Sequence, residues 1–123
     1  MKILITGGLG HIGSYIIENI NKIKILKKIY IIDNLSTQRY CSLFNLPKTK
    51  KKIFFIQNDL SLKNALNNFQ KTDVVINLAS ITDAETSLKI KKKIYKNNLR
   101  IFKNIIKYCR KNSSKLIHIS STS

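Results

Sequence analysis

The stretch LITGGLGHIGSYII, residues 4–17, contains all four glycines of the 123-residue chain. They are Gly7, Gly8, Gly10 and Gly13, and they follow an apolar run and open a segment with helical periodicity. A tight reversal suits Gly7, a backbone that a phosphate must approach suits Gly10, and close packing of a helix on a sheet suits Gly13. The stretch therefore predicts a strand, a turn and a helix whose N-terminus offers N–H groups and a partial positive charge to a diphosphate.

Five short apolar runs, rich in Ile, Val and Phe, mostly lack the alternation of a half-buried strand. Continuous apolar runs of this length predict strands covered on both faces, as in a parallel sheet. The five runs are Lys2–Thr6, Lys28–Asp33, Ile53–Gln57, Asp73–Leu78 and Lys115–Ile119.

Three segments between these runs have the spacing of amphipathic helices. The first face comprises Ile12, Ile16, Ile20 and Ile23; the second comprises Leu62, Ala65, Leu66 and Phe69, with Ser61 as a predicted N-cap. The third segment, residues 90–111, has a wide face made of Ile94, Asn98, Ile101, Phe102, Ile105 and Cys109, broadened by Tyr95, Leu99 and Ile106. Alternating strands and helices predict one α/β domain over residues 1–123, a Rossmann-type doubly wound parallel sheet of strand order 3-2-1-4-5. A short helix is expected near residues 40–46.

An acidic residue ends the second predicted strand. Asp33 follows Gly13 by 20 residues in the sequence. In dinucleotide-binding domains, an acidic residue at this separation from the glycine motif accepts hydrogen bonds from the adenosine ribose. The carboxylate would repel a 2′-phosphate, so NAD is favoured over NADP. NADP remains an alternative cofactor, because Arg39 could pair with its 2′-phosphate.

The net charge of +17 permits two interpretations. A basic chain suits a nucleic-acid partner, but Lys, Ile and Asn are also the residues that A/T-rich codons encode. The second interpretation is favoured, because only three arginines occur and the lysines are spread along the chain. No apolar run reaches membrane-spanning length, no secretion signal is recognised, and Cys41 and Cys109 lack metal-ligand spacing. We expect a cytoplasmic protein with reduced thiols, no metal site and no membrane contact.

Several motifs in chain order resemble those of the extended short-chain dehydrogenase/reductases, which include NAD-dependent nucleotide-sugar epimerases and dehydratases. TGGLGHIG at residues 6–13 matches the TGxxGxxG fingerprint, and DNLS at 33–36 is similar to that of UDP-glucose 4-epimerases. NDL at 58–60 and NLAS at 77–80 resemble the family segments after the third and fourth strands. HISSTS at 118–123 resembles the end of the fifth strand.

The resemblance implies a set of cofactor-binding residues. Asp59 would accept a hydrogen bond from the adenine, or would instead cap the following helix, and Asn98 would either support the site or serve the fold alone. His11 is interpreted as packing within the phosphate loop and not as a general base. The expected NAD-binding residues are Gly7, Gly10, His11, Ile12, Gly13, Asp33, Asn34, Ser36, Asp59, Leu60, Leu78, Ala79, Ser80 and Asn98.

The expected catalytic hydroxyl is that of Ser121, or of Thr122 in an ungapped alternative, while the family's Tyr-x-x-x-Lys pair is missing. None of the five tyrosines is followed by a lysine at that distance. We therefore expect an incomplete domain, truncated after the fifth strand, that binds NAD without turning over a nucleotide sugar, the substrate domain being absent. A non-catalytic NAD(H)-sensing module and, less favoured, a basic nucleic-acid binder are the alternatives. The wide face of the helix at 90–111 is expected to cover the sheet and also meet a second subunit in a homodimer, or else to lie deep in a single core.

Overall fold

The computed structural model describes residues 1–7, 11–34, 46–79 and 88–119. The strands are β1 (Lys2–Thr6), β2 (Lys28–Asp33), β3 (Lys52–Gln57), β4 (Val74–Asn77) and β5 (Lys115–His118); the helices are α1 (His11–Glu18) and α2 (Leu88–Asn112), with a 3-10 turn at Ile20–Lys22. All the strands pair in parallel, in the order β3-β2-β1-β4-β5. The predicted fold class and strand order are confirmed.

The two faces of the sheet are covered by different helices, as a doubly wound fold requires. On one face, Ile17 of α1 and Ile20 of the 3-10 turn pack with alternate residues of β1 and β2, such as Ile5 and Ile31. On the other face, Ile101 and Ile105 of α2 pack on the remaining residues of these strands. The central strands β1 and β2 are apolar on both sides for this reason.

The outer strands do not have the predicted cover on both faces. Every other residue of β3 is exposed along its first half, and in β5 only Leu116 is half-buried. Both strands have a hydrogen-bonded neighbour on one side only among the described residues. Apolar composition predicted these strands, but it did not show that they lie at the edges.

The predicted face of α1 is partly wrong. The helix ends at Glu18, and a 3-10 turn follows it, so the register of the face changes. Ile17 and Ile20 are buried, whereas Ile12 and Ile23 are exposed.

The predicted helix after β3 is a series of turns. Hydrogen bonds join residues three apart, from Leu62 N–H to the Asp59 carbonyl and from Ala65 N–H to the Leu62 carbonyl. Asn64 has a φ of 62°, in the left-handed region, which interrupts a regular helix. Leu66 is buried, but Leu62 is exposed. The predicted N-cap Ser61 is also wrong, since its N–H and Oγ both donate to Asp59 Oδ1 at 2.9 and 2.6 Å.

The long helix α2 agrees with its predicted face. Ile101, Ile105 and Cys109 are buried, and Ile94, Asn98 and Phe102 are half-buried. Tyr95 and Leu99, which broaden the face, are exposed. Cys109 is a free thiol, and burial raises its pKa. No helix in the described ranges combines the length and apolarity needed to cross a bilayer.

Candidate dinucleotide site

The ends of β1 and β2 bring Gly7 next to Asp33. Thr6 lies opposite Ile32 in the register, and the Gly7 N–H donates to the Ile32 carbonyl at 2.7 Å. The next residue of each strand therefore lies at the same carboxyl edge, which is where open α/β sheets bind ligands. Asp33 is half-buried and Asn34 is exposed. The predicted neighbourhood of the turn and the acid is thus present.

Gly7 is required at its position for two reasons. Its φ is +70°, a conformation that residues with a Cβ seldom adopt. A Cβ would also lie 2.8 Å from the main chain of Leu78 and Ala79, at the end of β4. The second reason was not part of the sequence prediction, which assigned Gly7 to the turn alone. The glycine allows the segments after β1 and β4 to approach each other closely.

The first turn of α1 follows this glycine across residues 8–10. His11 and Ile12 are exposed, while Gly13 is buried, as close packing of the helix on the sheet requires. The helix has no acidic residue in its first turn, so nothing there opposes the attraction of an anion to the N-terminus.

Asp59 lies at the same edge as Asp33, because the Asn58 N–H donates to the Asp33 carbonyl at 3.1 Å. One carboxylate oxygen of Asp59 accepts both hydrogen bonds from Ser61, which is the turn-forming role. Its other oxygen has no partner among the described residues. Asp59 therefore orders the turn with one oxygen and leaves the second available for a ligand.

An asparagine of α2 supports this turn. The Asn104 amide donates to the carbonyls of Leu60 and Leu62 at 2.7 and 2.9 Å. Leu60 is buried against the sheet. Asn104 was not identified from the sequence. Its position as a polar residue beside the apolar face of a predicted helix could have indicated that it has a hydrogen-bonding role. Asn98, which was predicted, is half-buried and has interactions of its own.

A polar network joins the ends of β1, β4 and β5. The buried Thr6 hydroxyl donates to Asn77 Oδ1 at 2.6 Å, and Asn77 Nδ2 lies 2.9 Å from His118 Nδ1. The same Asn77 oxygen accepts from the Ala79 N–H at 3.3 Å. Asn77 thereby fixes the backbone of the predicted cofactor segment Leu78–Ala79.

The network assigns a tautomer to His118. Thr6 donates to the Asn77 oxygen, so the Asn77 nitrogen must donate to His118, whose Nδ1 is then the acceptor and whose Nε2 carries the proton. The imidazole also packs against Phe102, with 4.8 Å between the ring centroids. His118 therefore ends β5 with one ring nitrogen hydrogen-bonded to Asn77. Asn77 and Thr6 were not predicted, although both are polar residues that end apolar strands.

The other predicted residues lie outside the described ranges. The gaps contain Gly10 of the glycine turn, Ser36 and Arg39 after β2, Cys41 and most of the short helix expected at residues 40–46. They also contain Ser80 after β4 and the candidate catalytic residues Ser121 and Thr122. Since His118 ends β5, the chain leading to Ser121 and Thr122 starts at the carboxyl edge. Over the described ranges, no group of His, Cys, Asp and Glu could hold a metal ion.

The residues at this edge fit a dinucleotide. Carboxylate oxygens stand at the ends of β2 and β3, a helix N-terminus follows the glycine turn, and half-buried Leu78 and Ala79 follow β4. These features together define a dinucleotide-binding α/β domain.

The comparisons with known proteins identify the family. Residues 3–123 match the NAD dependent epimerase/dehydratase family, and the chain belongs to it. The chain is 34% identical to a dTDP-D-glucose 4,6-dehydratase of Dictyostelium discoideum over 98% of its own length and 29% of that protein. It is 33% identical to a UDP-glucose 4-epimerase of Schizosaccharomyces pombe, over 89% of this chain and 31% of the other.

A solved structure supports the same assignment. The UDP-Glc/GlcNAc 4-epimerase of Campylobacter jejuni aligns with a TM-score of 0.82 and 30% identity, covering 98% of this chain and 37% of that one. The chain thus spans about a third of the length of these relatives. The predicted family is confirmed, and NAD is the cofactor by which that family is defined.

Proposed function

We propose that this chain forms the NAD-binding part of an enzyme that interconverts or dehydrates nucleotide sugars. The observation that carries the proposal is the position of the Gly7 turn beside Asp33, across the paired ends of β1 and β2. Family membership and the epimerases and dehydratases among the relatives support it.

The residues of this chain would bind and orient the cofactor. Asp33 would accept hydrogen bonds from the ribose hydroxyls, the turn and the N-terminus of α1 would hold the diphosphate, and Asp59 would accept from the adenine amine. The Asn77 network would hold Leu78 and Ala79 beside the nicotinamide half. When bound, NAD supplies a hydride acceptor and donor for the sugar carbon. Ser121, or Thr122, would hold a sugar oxygen by a hydrogen bond.

Calorimetric titration with NAD tests the proposal. Asp33→Ala should weaken NAD binding by about ten- to a hundredfold, the loss expected for hydrogen bonds to a charged acceptor. It should also reduce the preference for NAD over NADP, because the repulsion of a 2′-phosphate disappears. Glu18→Ala is the matched control, since Glu18 is an exposed acid at the far end of α1. Equal affinities of the Asp33 variant and the parent for NAD would refute the assignment of Asp33.

A turnover assay can distinguish an enzyme from a non-catalytic sensing module only if the chain tested also contains the Tyr-x-x-x-Lys pair. We expect the 123 residues to bind NAD without forming reduced nicotinamide when UDP-glucose is added, because they contain no Tyr-x-x-x-Lys pair. Absorbance of the reduced cofactor measures this. Reduction by the 123-residue chain would contradict the expectation and would place the proton acceptor within these residues.

A homodimer through α2 remains part of the proposal. Tyr95 and Leu99 expose apolar surface, with relative exposures of 69% and 37%, at the margin of the helix face that covers the sheet. The described helix has basic residues at many exposed positions and no acid, so like charges oppose pairing of two copies. Sedimentation should show a dimer that is stronger at high salt and is weakened by Tyr95→Ser. A monomer at every salt concentration would exclude it.

A further inference from the structure

An open cleft of about 630 Å³ lies at the amino ends of the strands, away from the carboxyl edge that carries the dinucleotide site. Its walls come from the 3-10 turn after α1 and from the segment that leads into β3. Four of the six lining residues are lysines and none is acidic; the six are Asn21, Lys24, Lys48, Thr49, Lys50 and Lys51.

Hydrogen bonds hold the two walls together and fix one of the lysines. The Lys51 ammonium donates to the carbonyls of Ile23 and Leu26 at 2.7 and 2.6 Å. The Asn21 amide donates to the Lys48 carbonyl at 2.9 Å. Because an ammonium has three donors, Lys51 has one left for a ligand. Its cation is held in place before any ligand arrives, which lowers the entropy lost on binding.

The positive charge of this cleft is not neutralised within the described part of the chain. None of its lysines forms an ion pair there. Three further lysines begin β1, β2 and β3 in register with one another, namely Lys2, Lys28 and Lys52. Like charges directly opposite each other on paired strands are destabilising. Asp73 lies at the same edge, where its Oδ2 accepts a hydrogen bond from the Lys2 backbone N–H, and it is not among the residues that line the cleft.

We propose that this cleft binds a chain of linked phosphates, such as inorganic tripolyphosphate or the triphosphate of a nucleotide. Several ammonium groups around one concave surface match the closely spaced negative charges of such a chain. A nucleic acid is a poorer match, because the lining has no aromatic side chain on which a base could stack and no arginine.

Calorimetry with tripolyphosphate, ATP and a short single-stranded RNA tests the proposal on the 123-residue chain. One variant combines Lys24→Gln, Lys48→Gln and Lys50→Gln, which are positions in the cleft lining. The matched control combines Lys91→Gln, Lys92→Gln and Lys96→Gln on α2, which packs on the opposite face of the sheet. The two variants have the same net charge, and their circular dichroism should match that of the parent.

The cleft variant should bind tripolyphosphate about tenfold more weakly or worse, and the control should change by less than about twofold. Equal affinity for tripolyphosphate and ATP would assign the phosphate chain alone as the ligand, whereas tighter ATP binding would assign the nucleotide. Equal weakening in both variants would overturn the proposal in favour of bulk charge, and preferential RNA binding would overturn it in favour of nucleic acid.

A competition experiment separates this site from the dinucleotide site. Tripolyphosphate affinity should be unchanged when NAD is saturating, because the two sites lie at opposite ends of the strands. Displacement of tripolyphosphate by NAD would overturn the proposal. A chain that fails to bind NAD would contradict the proposed function but would leave the lysine variants as an independent test of the cleft.

Discussion

Replacing Gly7 with alanine tests the close approach on which the candidate site depends. The added Cβ would lie 2.8 Å from the Ala79 nitrogen and from the Leu78 carbonyl carbon and oxygen. Carbon atoms in contact normally lie about 3.5–4.0 Å apart. Every atom in the way belongs to the main chain, so rotation of a side chain cannot relieve the contact.

The expected loss of stability has two causes. An alanine at a φ of +70° costs about 1 kcal/mol or somewhat more. Displacing the main chain in a well-packed region typically costs about 1–3 kcal/mol in addition. The free energy of unfolding should therefore fall by about 2–4 kcal/mol, which lowers the melting temperature of a domain of this size by about 8–16 °C. Because small domains are stable by about 5–15 kcal/mol, the variant should remain folded in the cold.

Thermal and urea unfolding followed by circular dichroism measure this loss. Gly7→Asn separates the backbone strain from the steric contact, because asparagine tolerates a left-handed backbone better but carries the same Cβ. We expect the two variants to be about equally destabilised, since the steric contact costs more than the strain. A Gly7→Ala midpoint within about 2 °C of the parent would refute the reasoning, because the segments after β1 and β4 would then not lie this close.

Three further changes test other parts of the fold. Ser113→Gly should stabilise the chain by about 0.5–1 kcal/mol in urea unfolding, since Ser113 has a φ of 54° and the Ser114 N–H caps the Cys109 carbonyl; a loss of stability would contradict this. Asn77→Ala should cost about 2–3 kcal/mol by leaving the buried Thr6 hydroxyl without its acceptor, and less in a Thr6→Val background; additive costs would disprove the coupling. Burial raises the pKa of Tyr108 above 10.0, so its contribution to stability is complete below that pH and is lost as the pH rises further; Tyr108→Phe should flatten the alkaline fall in unfolding free energy, and an unchanged slope would contradict this.

The sequence was most informative for the centre of the sheet. Ile29 and Ile31 contact one layer of helix while Tyr30 and Ile32 contact the other, so β2 is apolar at every inner position. In the centre of the sheet, a continuous apolar run therefore indicates a strand that is covered on both faces. At the edges the same composition is ambiguous, because Phe54 of β3 stacks on Tyr30 yet stays 41% exposed. The composition of a strand shows which of its side chains could be buried, whereas the position of the strand in the sheet determines which of them are buried.

The segment after β3 shows how local signals can compete. Its apolar residues have helical spacing, and Leu66 and Phe69 do pack against the sheet. Asp59 instead accepts hydrogen bonds from Ser61, and the Asn104 amide of α2 donates to the carbonyls of Leu60 and Leu62, the second of which also accepts from the Ala65 N–H. Short polar side chains favour such turns over helix. Because the decisive amide comes from a distant part of the chain, the pattern within the segment could not predict the outcome.

In the candidate site too, some residues could be placed from the sequence and others depended on how distant parts of the chain pair. Gly7, Asp33 and Asp59 could be placed from sequence, because each ends or follows its own strand and parallel strands end at a common edge. The contact between Thr6 and Asn77 needed one more step, the alignment of β1 with β4, which are separated by two other strands in the chain but paired in the sheet. A polar residue at the last position of a buried strand must find a partner, and its paired neighbour is the nearest one. By that rule, Asn77 could have been identified from the sequence as the residue that joins the two halves of the dinucleotide edge.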